Sequence, residues 1–192
     1  METQTQPLSP WLTIWVKPRQ TIRRIVDSDP QHQVILLAML GGIFQVLNQS
    51  SSRHLGDTLS LPIIFLLCGI AGPIVGIFLL CVEGALLHWI GSRFGGQASP
   101  AEVRAACAWS SVPNIWSQIL WIPQFALLGK DLFTSEIPKI AANPFLALIF
   151  LGFLGVQLVI AVWAFVVLLI CLGEVHRFSI WKALATTLIN GL

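Results

Sequence analysis

The chain has 192 residues, of which 55% are hydrophobic and 10% charged, with a formal net charge of +2 and a mean hydropathy of +0.78. Soluble domains usually carry about 25% charged residues, so this composition excludes a water-soluble globule. So small a positive charge, without a dense basic run, also excludes a nucleic-acid surface, and the length leaves room for one bundle and no separate soluble domain.

Residues 1–30 read as a cytoplasmic N-terminal segment and 31–192 as a membrane domain. Ser9-Pro10 is a helix start, with serine as cap and proline at the first helical position. Trp11, Leu12 and Trp15 then form an apolar face. After Pro18, Ile22, Ile25 and Val26 share one side, with Arg19, Arg23 and Arg24 around the other. Tryptophan on the apolar side and arginine on the polar side suit an amphipathic helix lying among lipid headgroups, with Trp11, Trp15, Arg19, Arg23 and Arg24 as the lipid contacts. A cap packed on the cytoplasmic end of the bundle fits the same pattern. Basic residues follow the tryptophans, and no small-residue cleavage site appears, so no cleavable signal is expected.

Five apolar blocks follow, at Val34–Ser50, Leu61–Ile90, Val103–Leu128, Pro144–Leu172 and Ile180–Leu192. A bilayer core of about 30 Å needs about 20 apolar residues per helix, which the first four reach or nearly reach. The expected fold is all-α, a polytopic membrane bundle of five transmembrane helices preceded by the amphipathic helix. The fifth block is short, at about 20 Å of helix. It reads as a short span, with a surface-lying helix as the alternative. Asp29-Pro30, Ser99-Pro100-Ala101-Glu102 and Asn143-Pro144 read as starts of the first, third and fourth spans, the second of them as a capping box. Gly95-Gly96 and Gly173 read as helix ends, and Pro73 as a bend in the long second block. Trp89 and Trp181 fall near block ends and suit interfacial anchoring.

If the blocks cross in turn, eight of the eleven Lys and Arg residues fall on one face. The positive-inside bias then places the N-terminus in the cytoplasm and, with five spans, the C-terminus on the other side. Four cysteines, Cys68, Cys81, Cys107 and Cys171, lie in apolar blocks without a C-x-x-C pair and read as small buried apolar residues. Metal and cofactor sites are not expected: His54 with Asp57 falls short of a ligand set, and His32 and His176 read as interface residues. Nucleophile-elbow, P-loop and metalloprotease motifs are missing, so enzymatic activity is not expected.

Glu83 is the chemical outlier. It lies about 15 Å along the helix from Arg93, near mid-bilayer, where a charged side chain costs about 2.5–3.5 kcal/mol, so it is expected to be protonated or hydrogen-bonded and to face protein. Gly69, Gly72 and Gly76 fall within about 40° of its direction and read as a helix-packing face, with Gly72 and Gly76 as a G-x-x-x-G pair. On the next span Ser110, Asn114 and Gln118 recur every four residues as a polar stripe, with Ser117 beside them. Asn114 lies at similar depth to Glu83, and Gln45 and Gln157 are placed to join the cluster. Pro113 frees the backbone carbonyl of Trp109. His88 lies about 140° around the helix from Glu83, outside any shared motif. The cluster reads either as interhelical hydrogen bonding or as a site for a proton, an ion or a lipid headgroup. No internal repeat of the kind many transporters show is evident.

These features together resemble a known family. Pro10-Trp11-Leu12-Thr13-Ile14-Trp15, Pro18-Arg19, Thr21-Ile22-Arg23 and Asp29-Pro30 are similar to the opening of bacterial members of the Yip-domain family, named for Ypt-interacting proteins. Gly95-Gly96, Ala105-Ala106, Trp109-Ser110-Ser111-Val112-Pro113 and Glu174-Val175-His176 through Phe178-Ser179 also match. The resemblance implies five spans with a cytoplasmic N-terminus. Eukaryotic relatives reside in the early secretory pathway and associate with small GTPases. This chain departs from them: its leading segment is short, the Asp-Leu-Tyr-Gly-type signature is missing and it has no tyrosine. A bacterial inner membrane is the expected home and a small GTPase is not an expected partner. The expectation is a non-enzymatic membrane-organising or trafficking-like scaffold that binds lipids and a membrane-protein partner or a second copy. The alternative is a small transporter or proton-linked channel using Glu83, Asn114 and Gln118.

Overall fold

Proline punctuation sets the helix starts. In the computed structural model, which describes residues 9–191, α1 (Pro10–Val16) and α2 (Pro18–Ser28) both open on a proline, whose fixed φ and missing N–H suit a first turn. Residues 1–8 of the expected N-terminal segment, and Leu192 of the fifth block, lie outside the described residues. After α2 the Asp29 side chain accepts the Gln31 N–H at 2.9 Å, and Gln33 takes a left-handed φ of 55°. The next helix, α3 (Val34–Ser52), therefore begins past Asp29-Pro30.

Two helices of 33 residues dominate the bundle, α4 (Leu61–Arg93) and α9 (Pro144–His176). Each extends about 50 Å, longer than a bilayer core. With α3 they are the three helices long and apolar enough to cross a membrane. α4 continues without a break through Pro73. It ends with Gly95 at φ 82°, the Gly96 N–H bonding the Gly91 carbonyl and the Gly95 N–H the Ser92 carbonyl. This is the Schellman arrangement that glycine permits without strain. Asn143 caps α9 by accepting from the Phe145 and Leu146 N–H groups. Gly173 does not end α9, as its sequence had suggested. The helix runs on to His176 and closes in the same Schellman pattern, with Arg177 at φ 56° and the Phe178 N–H on the Gly173 carbonyl.

The third block is not one rod. It forms α5 (Pro100–Ser110), α6 (Val112–Ser117), a 3-10 turn at Gln118–Leu120 and α7 (Trp121–Leu128). Pro113 and Pro123 each remove an N–H and crowd the carbonyl four residues back, at Trp109 and Ile119, so both sit near the start of a new helix. The capping box at the α5 start is complete: the Ser99 N–H donates to Glu102 Oε2 at 2.6 Å and the Glu102 N–H to Ser99 Oγ at 3.3 Å. Beyond α7 comes the short α8 (Pro138–Ala142). The fifth block gives α10 (Ile180–Asn190), about 16 Å long and so about half the thickness of a bilayer core. No strand occurs among the described residues.

α5 is the centre. From Ala105 to Ser110 every residue is buried, and the Trp109 side chain is fully enclosed. α3 and α4 form a close antiparallel pair, joined by a short connection. α9 instead packs mainly on α2, α5, α6 and α10. The outward faces of α4 and α9 carry exposed Phe65, Leu66, Ile74, Phe78, Leu148, Leu158 and Val159, as a lipid-facing surface requires.

Candidate functional site

The α3–α4 contact is made where side chains are missing. Ile64, Cys68, Gly72 and Gly76 form a buried row of four-residue spacing on α4, the ridge that packs into a neighbouring helix. A Cβ on Gly42 of α3 would stand 2.5 Å from the Gly76 Cα, and one on Gly72 would stand 2.5 Å from the Ile43 Cα. Gly69 is placed differently from its sequence expectation. It is exposed, and a Cβ there would meet nothing within 4 Å. The ridge turns away from it because Cys68, one residue earlier, takes the inward position.

Glu83 flanks this seam, one position before Gly84, whose face is crossed by the Arg104 side chain of α5. It opens into a cavity of about 640 Å³ between the α3–α4 pair and α9, lined at its centre by α5 and α6. The cavity brings together residues that the sequence places far apart. α3 contributes Gln45 and Asn48, α4 Glu83, α5 and α6 Ser110, Asn114 and Ser117, the 3-10 turn after α6 Gln118, and α9 Gln157. Leu79, Leu80, Ile115, Phe165 and Leu168 supply apolar wall. Glu83, Gln45, Asn48 and Asn114 are exposed to this space.

These polar groups do not bond one another across helices. Ser110 Oγ donates to the Cys107 carbonyl at 2.9 Å, Ser117 Oγ to the Asn114 carbonyl at 2.7 Å and Gln118 Nε2 to the same carbonyl at 3.2 Å, all within their own segment. Among the described residues, Glu83 has neither a hydrogen-bond nor an ion-pair partner, and Gln118 Oε1 is buried without a donor. Among the described residues, these polar side chains line one space and make no hydrogen bond from one helix to another.

The residues expected to touch lipid headgroups are largely taken up by the protein. Trp11 packs edge-on against Trp109, with ring centroids 6.0 Å apart, and its Nε1 donates to Gln33 Oε1 at 2.9 Å. Trp15 packs on the main core cluster. Arg23 pairs with Glu174, and only Arg19 and Arg24 of the five are fully exposed. With Ile14, Ile22 and Ile25 buried, α1 and α2 form the packed cap. Leu12 and Val16 remain exposed on its rim, and Trp89, with Arg93 over its ring, and Trp181 are exposed near the same end.

One further cluster was not legible. His176 is fully buried, stacked on Phe178 at 4.9 Å and beside His88 at 6.4 Å. Neither ring nitrogen has a partner among the described residues. It fits because Gly91 and Gly96 leave it room: a Cβ at Gly91 would stand 2.5 Å from its Nε2, and one at Gly96 would overlap its Nδ1. Gly96 and His176 are both visible in the sequence, but nothing in their spacing says that they meet.

Comparison with curated proteins and with solved structures returns no match. Residues 12–190 match the family model of the Yip1 domain. That match runs from the first helix of the cap to the last residue of α10, and with it the chain belongs to the Yip1 domain family and is a membrane protein built on apolar helices.

Proposed function

We propose that the protein is a non-enzymatic membrane-organising protein that receives the polar part of a lipid or lipid-like amphiphile in the cavity between α3–α4 and α9. The observation that carries this reading is the set of polar side chains facing one space without bonding across it. Polar side chains within a membrane normally face the bundle interior or a water-filled cavity, and sites of about 300–1,000 Å³ with an apolar wall and a few convergent polar groups are typical of small-molecule binding. In a bacterial inner membrane the Pro100–Leu128 segment serves as an irregular crossing beside α3, α4 and α9, and α10 enters the bilayer as a half-length fifth segment. The bias of positive charge toward the α1–α2 end supports a cytoplasmic N-terminus, testable with reporter fusions at both ends.

The experiment is lipid retention. Full-length protein is purified in mild detergent and its bound lipid measured by mass spectrometry, beside Gly41→Phe. Gly41 lines the cavity, and a Cβ there has nothing within 4 Å, so a larger side chain at this position starts in open space and takes up part of the cavity. Loss of bound lipid with an unchanged unfolding temperature supports the reading. Equal retention by the variant removes it. Protein that neither self-associates, captures a membrane partner nor changes vesicle shape would remove the organising role.

A second reading is supported by Glu83 itself, a carboxyl group open to the cavity at membrane depth, where such groups mark ion and proton paths. Under it the protein is a small transporter. Proteoliposome flux that is unaltered in Glu83→Gln would count against it.

A further inference from the structure

We infer that the cavity's ligand carries a protonated amine on an apolar tail, an assignment that rests on the ligand-binding reading of the cavity and gives it a chemical class. The lining is one-sided in its chemistry. Glu83 is the one charged side chain among the described lining residues, and none of those residues is a Lys or Arg. A ligand that is anionic overall would therefore find no counter-charge in the described lining.

One buried hydrogen-bonding atom of the lining is left without a partner among the described residues. Gln118 Nε2 is committed to the Asn114 carbonyl at 3.2 Å, which fixes the end of the amide left over. That end, Oε1, is a buried acceptor without a donor. An ionised carboxylate is also purely an acceptor, whereas an ammonium group is purely a donor, with three N–H bonds to give. Glu83 and the Gln118 oxygen supply acceptors of the required kind. Leu79, Leu80 and Leu168 offer the apolar surface a hydrocarbon tail needs.

Among the described residues, no Lys or Arg lines the cavity, and the Arg104 stem packs over Gly84. A second copy of the protein would bring another Glu83 to this depth, while its Lys and Arg residues lie in the terminal segments, connections and helix ends. An amphiphile entering between α3–α4 and α9 meets neither obstacle. Two sources carry the chemistry: an aminophospholipid of the bilayer, or a free long-chain amine.

The test uses the full chain in nanodiscs of phosphatidylcholine doped with either phosphatidylethanolamine or phosphatidylglycerol, and separately with dodecylamine or dodecanol. Bound molecules are counted by native mass spectrometry. Wild type is expected to enrich the amine over its neutral or anionic counterpart by about ten-fold, the scale of one hydrogen bond to a charged group. Glu83→Gln should abolish the preference while total bound lipid persists, and Gln118→Leu should weaken it. Gly41→Phe should lower the total bound lipid. Enrichment of either amine supports the assignment and identifies its source. Enrichment of neither, or enrichment that survives Glu83→Gln, overturns it, as would a polypeptide that occupies wild type and is missing from Gly41→Phe. If Gly41→Phe still removes lipid, only the amine class has failed. If it does not, the cavity reading has failed too.

Discussion

Arg23 and Glu174, separated by 151 positions in the chain, are joined at one carboxylate oxygen, which accepts from the arginine Nε at 3.1 Å and from its Nη2 at 2.9 Å. The pair fastens α2 to the end of α9 at a place where both side chains remain partly in contact with solvent. Solvent screening limits such a pair to about 0.2–1 kcal/mol. Arg23→Ala and Glu174→Ala should each lower the unfolding temperature in detergent slightly, and the double variant should be less destabilised than their sum. A strictly additive double-mutant cycle would show that the pair does not fasten the cap.

The α3–α4 seam makes a sharper demand. Gly42→Ala or Gly76→Ala forces the two backbones apart and should cost about 1–3 kcal/mol, the usual range for overpacking. Gly69→Ala should be neutral or slightly stabilising, because the added methyl meets open space and alanine favours the helix. Thermal unfolding of the three variants in one detergent checks the ordering. Equal losses at all three positions would contradict the packing described here.

Gly96→Ala should be destabilised by a similar amount, because the new methyl overlaps the His176 ring. Shortening the partner should recover part of that loss, so Gly96→Ala with His176→Ala is expected to lie above the value predicted by adding the single variants. Additivity would separate the glycine from the histidine.

The cavity predicts a pattern of chemical access. In a background with the four native cysteines replaced, Gln45→Cys and Asn48→Cys face polar space, which holds water readily. Phe78→Cys stands on the exposed apolar face of α4. A small charged thiol reagent should modify the first two in membranes much faster than the third. Equal protection of all three would mean that the cavity is closed.

How much of this was readable from residues alone depended on the range of the interaction. The capping box at Ser99 and Glu102, the Gly95 helix end and the polar stripe of α5 and α6 are set by neighbours a few positions apart, and they appear where the pattern puts them. The break of the third block was half visible. Pro113 frees the Trp109 carbonyl and Pro123 the Ile119 carbonyl, and together they divide the segment into short pieces. Gly69 was misplaced because a fixed angular sector treats the contact as straight, whereas the real ridge follows Ile64, Cys68, Gly72 and Gly76 around the helix. The burial of α1 and α2 depends on Trp109, Gln33 and Glu174, three partners supplied by distant parts of the chain. No periodicity within the first thirty residues encodes them.

The glycine seam also bears on the order of assembly. Its contacts are drawn entirely from residues 38–76, so it is able to close while the second half of the polypeptide is still being made. Glu83 would then enter the lipid carried on a helix that already has a companion, and α5, α6 and α9 would arrive later to build the chamber around it. An early two-helix intermediate, resistant to protease before synthesis passes the long fourth block, is the trace such an order would leave.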